Sequence, residues 1–357
     1  MIVKNESKHI KNCILSIKQQ VKEIIVVDHY STDSTLSLAV ELGAKVYERD
    51  WSNDFAEARN YAISHAEGSA IMIMDADEEF DSDVNSLRLA FERMHNRTGA
   101  AVRVGINNIL NNGTSSLTWV TRMFPNCSEY QYVGRIHEQL HYKRNPPSSF
   151  DSNIMFNHYG YQTDEVSNKD KVNRNLNLLL LDLNEQPDNP YILFQIGRCH
   201  VHLLNWNMAK QYLKHACSLL SKPYPIFASS LLLELAKSLM KSNDWDELFE
   251  VIKLGLEIYP DYTDLYYMYG VALIESRNVQ WFSQIPAAFE ACLQLGDSDG
   301  RKFETVPGVG SYRANFNLGL YYEIIGKKEQ AVMYYEKSLQ QGYGEAQHRL
   351  RLLTNLK

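Results

Sequence analysis

Two continuous apolar runs that end in aspartate constrain the fold of this chain more than any other feature. They are EIIVVD, which ends at Asp28, and AIMIMD, which ends at Asp75. Continuous apolar runs of this length are typical of strands buried on both faces of a parallel sheet. Because helical patterns lie between the two runs, the order predicts βαβ units and a doubly wound sheet.

The helical patterns of this region have clear start and stop signals. One helix is predicted from residues 31–32 to Gly43, and a second from Ser52 to Gly68. An amphipathic helix is predicted upstream, because apolar residues occupy i, i+3, i+4 and i+7 at Ile10, Cys13, Ile14 and Ile17. The later runs AAVRVGI, LTWVTRMF and NIMFNHY have no helices between them, which predicts an antiparallel or mixed extension of the sheet.

From about residue 170 the sequence reads as helix throughout. Small residues recur where two helices must cross closely, at Gly197, Ala236, Gly270 and Gly319. Ala236 and Gly270 lie 34 positions apart, which is the period of tetratricopeptide repeats, whereas other intervals are longer. We therefore predict an α/β domain at 1–165 and an all-α domain of irregular tetratricopeptide-like repeats at 166–357.

Composition excludes several classes of protein. The chain has 357 residues, 45% of them hydrophobic, and a net charge of -7 without a basic block, which argues against nucleic-acid binding. No apolar run approaches the roughly 18 residues that a membrane span requires. The segment MIVKNESKHI has no apolar h-region of the kind expected in a signal peptide, and the five cysteines lie far apart. We expect a reduced, cytoplasmic protein.

The segment DADEEF after the second apolar run places several carboxylates at the end of a strand. Asp75 and Asp77 are two positions apart in an extended chain, so both side chains should lie on the same side of it. They should meet at the sheet edge where α/β folds bind ligands. Two carboxylates there suit a divalent cation such as Mg²⁺ or Mn²⁺. Glu78 and Glu79 are expected to be solvated. GxGxxG and GxxxxGK[ST] are both absent, which disfavours a dinucleotide fold and a P-loop.

Four motifs in this order, MIVKNES, EIIVVDHYSTDST, WSNDFAEARNYAISHAEG and IMIMDADEEF, resemble glycosyltransferase family 2. The resemblance implies a GT-A (Rossmann-like) nucleotide-sugar-binding fold. The subgroup resembled ends in tetratricopeptide repeats and includes the peptide S-glycosyltransferases of glycosylated bacteriocins. That family has further residues before the MIVKNE segment, so we expect either a short first strand or a start upstream of Met1.

The resemblance also implies a site for a UDP-sugar. Its members would be Val3, Asn5, Glu6, Asp28, Tyr30, Arg59, Asp75 and Ala76, with Asp28 on the uracil and Asp75 near the ribose or sugar. Asp77 would ligate the metal. Two structural alternatives stay open: Asp28 as a helix cap, and Arg59 as the partner of an acid at helical spacing, such as Asp54 or Glu57.

A second group of polar residues lies in YVGRIHEQLHY and NIMFNHYGY. The resemblance places a His-Glu segment on the acceptor side of the sugar, where inverting chemistry needs a base. Glu138 is the candidate base, with His137 as the alternative, although strand alternation points them in opposite directions. Arg135 is a candidate for stabilising the departing diphosphate. His158 is a candidate metal ligand.

These observations predict an inverting, metal-dependent transferase that moves a hexose from a UDP-sugar to an acceptor. A peptide side chain (Cys, Ser or Thr) is the expected acceptor, because repeat arrays present a groove for peptides. Three alternatives stay open: a transferase of surface polysaccharide synthesis, an inactive tetratricopeptide adaptor, and a nucleotidyltransferase. A homodimer through the repeats is a further expectation.

Overall fold

The computed structural model describes residues 1–109, 115–160 and 165–354. It divides into two compact units, one of residues 1–184 and one that begins at Glu185. From helix α5, Glu165–Glu185, onward, all the elements of the described chain are helical. The predicted domain boundary falls at the start of this helix, whereas the compact first unit extends to Asn184 and so includes most of it.

The first unit alternates strands and helices up to His95. Its elements are β1 Ile2–Val3, α1 Ile10–Ile17, β2 Ile25–Asp28, α2 Thr35–Glu41, β3 Lys45–Glu48, α3 Phe55–Ser64, β4 Ala70–Met72, β5 Glu78–Phe80 and α4 Val84–His95. Further strands follow before α5, namely β6 Ala100–Ile109, β7 Ser115–Pro125, β8 Tyr130–Val133, β9 Gln139–Tyr142 and β10 Ser148–His158.

The strands form separate sheets with different directions. β1, β2 and β3 make a parallel sheet in that order, and a mixed sheet has the order β4-β7-β6-β10-β5. The predicted mixed extension is confirmed, because β6 pairs antiparallel with β7 and parallel with β10. One detail is corrected: β4, which carries the second apolar run, pairs antiparallel with β7 and lies in the mixed sheet. β8 and β9 form a small hairpin.

Helix α1 ties the two sheets together, as its apolar stripe predicted. Ile10 and Ile14 are fully buried in a cluster with residues of β1 and β2. Cys13 and Ile17 are buried in a second cluster with residues of the mixed sheet. The i, i+3, i+4, i+7 spacing therefore serves two cores from one helix face.

The second unit consists of packed helices. Its elements are α6 Pro190–His202, α7 Trp206–Ser218, α8 Ala228–Lys241, α9 Trp245–Ile258, α10 Thr263–Glu275, a 3-10 segment Val279–Gln284, α11 Ile285–Leu295, α12 Tyr312–Ile324, α13 Lys328–Gln340 and α14 Glu345–Thr354. Successive helices pack on one another from α6 to α14. This succession of helix pairs is the tetratricopeptide-like architecture that the period predicted.

Glycines lie at the helix crossings, as the sequence predicted. A Cβ atom added at Gly197 would lie 2.5 Å from Leu213, and one added at Gly319 would lie 2.6 Å from Tyr335. At Gly270 the same atom would lie 2.6 Å from the Phe289 ring. Each pair joins the two helices of one repeat, so a larger residue would force the helices apart.

The insertion between α11 and α12 accounts for the longest repeat interval. Asp264 of α10 is buried and accepts hydrogen bonds from the Thr305 hydroxyl at 2.7 Å and the Val306 N–H at 2.7 Å. Phe303 from the same insertion stacks on Tyr262 with ring centroids 4.3 Å apart. The insertion therefore packs as part of the repeat rather than standing apart from it. No helix in the described part of the chain is long and apolar enough to cross a membrane.

We predict that Gly270→Ala lowers the free energy of unfolding by roughly 1–3 kcal/mol, because the added methyl group would overlap the buried Phe289 ring. Urea unfolding of the full chain measures the change. Gly344→Ala is the matched control, since no atom lies within 4 Å of the added Cβ there. An equal loss in both variants would contradict the close crossing.

Candidate active site

Charged side chains from separate elements meet in a chain of alternating sign. Arg59 of α3 donates to Asp75 through Nη2 at 3.0 Å and to Glu138 through Nε. Arg122 of β7 donates through Nη2 to Asp75 at 2.7 Å and to Glu78 at 2.9 Å. The order is Glu138, Arg59, Asp75, Arg122, Glu78, and we call it the charge chain. It supplies the positive charge that the crowded carboxylates require.

The two arginines set the ionisation of the central carboxyl. Burial would raise the pKa of Asp75, but Arg122 and Arg59 hold it well below its ordinary value. Asp75 is therefore an anion with 33% of its side chain exposed. Burial raises the pKa of the Glu78 carboxyl, and Arg122 opposes that rise.

Two members of the charge chain differ from the sequence predictions. Glu78 was expected to be solvated, yet its side chain is only 3% exposed, and it accepts the Asp75 N–H at 2.9 Å. Arg122 was given no role. Its position in the apolar run LTWVTRMF was the available signal, because an arginine within a buried strand requires a charged partner.

For Arg59, the structure decides between the partners that the sequence left open. Arg59 pairs with Asp75 and Glu138 rather than with an acid on its own helix.

Asp77 and His158 lie together, as a metal pair would. The His158 Nε2 atom is 3.2 Å from Asp77 Oδ2, and its Nδ1 atom is 2.9 Å from Asn108 Oδ1. Burial alone would lower the pKa of His158, but the hydrogen bond to Asp77 and the negative charges of Asp77, Glu78 and Asp75 together raise it. A partner on the second ring nitrogen orients the imidazole, as in protein metal sites.

Gly160 leaves room beside this pair. A Cβ atom at residue 160 would lie 2.2 Å from Asp77 Oδ2 and 2.6 Å from His158 Nε2. The described residues hold no cluster of three or more His, Cys, Asp or Glu side chains arranged for a metal. A carboxylate and an imidazole beside a residue without a side chain fit a cation that takes its remaining ligands from phosphate and water.

Asp28 organises the loop that follows β2. The residue is fully buried, and its carboxylate accepts the Ser31 N–H at 2.8 Å and the Ser31 hydroxyl at 2.5 Å. Across the loop, Asn5 Oδ1 accepts the Thr32 N–H at 2.8 Å. Asn5 and Tyr30 both have positive φ angles, 58° and 54°. Helix α2 begins only at Thr35, so Asp28 shapes the loop rather than capping the helix.

The other candidates for the nucleotide-sugar site occupy different environments. Val3 and Ala76 are buried in one apolar cluster, where they support the loops around the site. The Tyr30 side chain is half exposed. Burial, together with the negative charge of Asp77, raises the pKa of Glu6 to about 7. Glu6 and Asp77 therefore share one electrostatic environment.

The acceptor-side candidates separate into two places. The Glu138 side chain is only 10% exposed and forms an ion pair with Arg59. His137 is exposed and has a φ angle of 52°. The Arg135 guanidinium and N–H both donate to the Asp182 carboxylate of α5, at 2.6 and 2.9 Å. The structure thus brings Glu138 to the charge chain and holds Arg135 on Asp182.

We predict that Arg122→Met lowers the free energy of unfolding by roughly 3–5 kcal/mol, because Glu78 would remain as an unpaired buried charge. Urea unfolding of the full chain measures the loss. The loss should be smaller near about pH 5 than near about pH 8, since protonation removes the charge from Glu78.

Arg88→Met serves as the control for this substitution, because Arg88 and Glu92 form an exposed pair 3.6 Å apart. Pairs of that kind contribute at most about 1 kcal/mol. A similar loss in both variants would show that the charge chain does not hold the first unit together.

Comparison with known proteins identifies the family of this chain. The family model described as Glycosyl transferase family 2 matches residues 1–161. The SPbeta prophage-derived glycosyltransferase SunS of Bacillus subtilis strain 168 is 31% identical over 290 residues, which are 78% of this chain and 67% of that protein. A TPR repeat-containing protein of Synechococcus elongatus is 28% identical over 274 residues, which are 72% of this chain and 65% of that protein.

Among solved structures, the crystal structure of MamA matches 52% of this chain and 96% of its own, with 19% identity and a TM-score of 0.41. The relatives at the sequence level span both units, whereas the family model covers the unit that carries the charge chain. The chain therefore belongs to glycosyltransferase family 2, with tetratricopeptide-like repeats after the transferase domain.

Proposed function

We propose that this glycosyltransferase is inverting and metal-dependent, and that it moves a hexose from a UDP-sugar to a Cys, Ser or Thr side chain of a peptide. The observation that carries the proposal is the Asp77–His158 pair beside Gly160, next to the ionised Asp75. This arrangement is suited to a diphosphate and its cation, with a carboxylate alongside for the hydroxyls of the ribose or sugar.

On the donor side, the residues of the chain bind and orient the UDP-sugar and its cation. Asp77 and His158 would hold the cation, which supplies the positive charge that offsets the diphosphate during bond breaking. Arg59 and Arg122 keep Asp75 ionised, so its exposed face can accept hydrogen bonds from hydroxyl groups. Asp28 and Asn5 accept the Ser31 and Thr32 N–H groups, which fixes the loop against which the base would lie.

On the acceptor side, Glu138 is the base in this proposal. Arg59 contacts its Oε1 atom, and no hydrogen bond to Oε2 is made within the described residues. As the acceptor nucleophile attacks the anomeric carbon, the bond to the UDP oxygen breaks and the acceptor proton passes to Glu138. A cysteine acceptor is favoured because a thiol, with an ordinary pKa of about 8.5, needs little help from a base.

We predict that UDP and UDP-glucose bind in the presence of Mn²⁺ and lose most of their affinity in EDTA. Isothermal titration measures both. Asp77→Ala should abolish the metal dependence, because one of the two protein ligands is removed. Glu79→Gln is the matched control on the same segment and should bind like the wild type.

Gly160→Ala should weaken the same binding without removing a ligand, since the added methyl group would displace both Asp77 and His158. Binding that needs neither the metal nor Asp77 would overturn the metal part of the proposal. If neither nucleotide binds under any condition, other nucleotide sugars become the donors to test.

We predict that Glu138→Gln reduces transfer to a cysteine-containing peptide by about 100-fold or more, the usual loss when a general base is removed. Release of UDP measures transfer, and titration with UDP checks that donor binding survives. His137→Asn is the comparison variant, because His137 neighbours Glu138 in the chain but is exposed. If the His137 variant loses transfer and the Glu138 variant keeps it, the roles are reversed.

A further inference from the structure

The second unit contains a groove that the transferase chemistry does not use. Its volume is about 930 Å³, and it is bounded by α9, α10 and the 3-10 segment. A volume of this size is within the range of small-molecule and side-chain binding pockets, roughly 300–1,000 Å³. The α9 residues that line the groove run from Asp246 to Glu257 at intervals of three or four positions. They therefore lie on a single face of that helix.

Three aromatic rings line the groove: Phe249 on α9, Tyr269 on α10 and Trp281 on the 3-10 segment. Phe249 packs edge-to-face against Trp281 with centroids 4.6 Å apart, and against Tyr269 with centroids 5.8 Å apart. The Tyr269 hydroxyl donates to Gln284 Oε1 at 2.7 Å, which orients its ring. All three rings are only partly buried. Within the described part of the chain, no Lys or Arg lies over any of them.

The rim of the groove is acidic. Asp246, Glu250 and Glu257 are exposed and line it, and within the described residues none of the three forms an ion pair. Lys253 is the one basic residue on the same face of α9, so this face has a net negative charge. Aromatic faces next to unpaired carboxylates attract a cation in two ways, through the ring quadrupole and through charge.

We propose that this groove binds a basic segment of a polypeptide, with a Lys or Arg side chain over the Phe249, Tyr269 and Trp281 rings. Under the proposed function, on which this assignment of the partner rests, the polypeptide is the acceptor. Charge complementarity carries the choice: an acidic segment would meet three carboxylates, whereas a basic one would neutralise them. The partly buried Leu256 suits an aliphatic neighbour of the basic residue.

The test uses the full chain and a fluorescein-labelled decapeptide in which Lys and Arg alternate with Leu and Ala. Matched peptides carry Gln or Glu at every basic position. Fluorescence anisotropy measures binding without nucleotide sugar or metal, so failure of the donor proposal leaves the result unaffected. We expect the basic peptide alone to bind, and salt to weaken its binding.

The double variant Glu250→Gln/Glu257→Gln should weaken binding of the basic peptide by about three- to tenfold, in line with a contact at a partly exposed site. The control Glu329→Gln/Glu336→Gln changes the net charge equally at exposed positions of α13 and should leave binding unchanged. Trp281→Leu should weaken binding as well, with circular dichroism to verify its fold.

Two results would overturn the proposal. Equal weakening in the two double variants would show a response to net charge alone. Equal binding of the basic and Gln peptides would show that the groove does not select for positive charge.

Discussion

The first unit depends on the charge chain, in which two arginines are shared among three carboxylates. A buried carboxylate alone is costly, and so is a buried guanidinium, but charges of alternating sign satisfy one another. The members come from α3, the β4–β5 connection, β5, β7 and the segment before β9. One electrostatic arrangement thus fixes the relative positions of several loops and leaves Asp75 ionised at their meeting point.

The structure follows the sequence most closely where the signal is local. The stripe on α1 and the glycines at helix crossings were predictable, because each depends on spacing within one helix or one repeat. The charge chain was not. Arg122 lies 44 residues from Glu78, and Arg59 lies 79 from Glu138. These pairings depend on strand order, and above all on β4 pairing antiparallel with β7.

The same distinction holds within the candidate site. The resemblance to the family pointed to Asp77 and His158, which lie 3.2 Å apart. It gave no indication of Asn108, which positions the imidazole, or of Gly160, where any side chain would collide with Asp77 and His158. A glycine's role in such a place is a matter of what its Cβ would contact, and that is known only once distant strands have been brought together.

The second unit shows how an irregular repeat gains a specific surface. Regular helix pairs bury small residues at their crossings and leave similar grooves between them. Here the connection from α10 to α11 is a 3-10 segment rather than a tight turn, and it places Trp281 against Phe249 of α9. One of the three rings that line the groove therefore comes from the connection rather than from a helix of the pair. Departures from the repeat period, rather than the period itself, therefore give this unit the surface that sets it apart from a regular array.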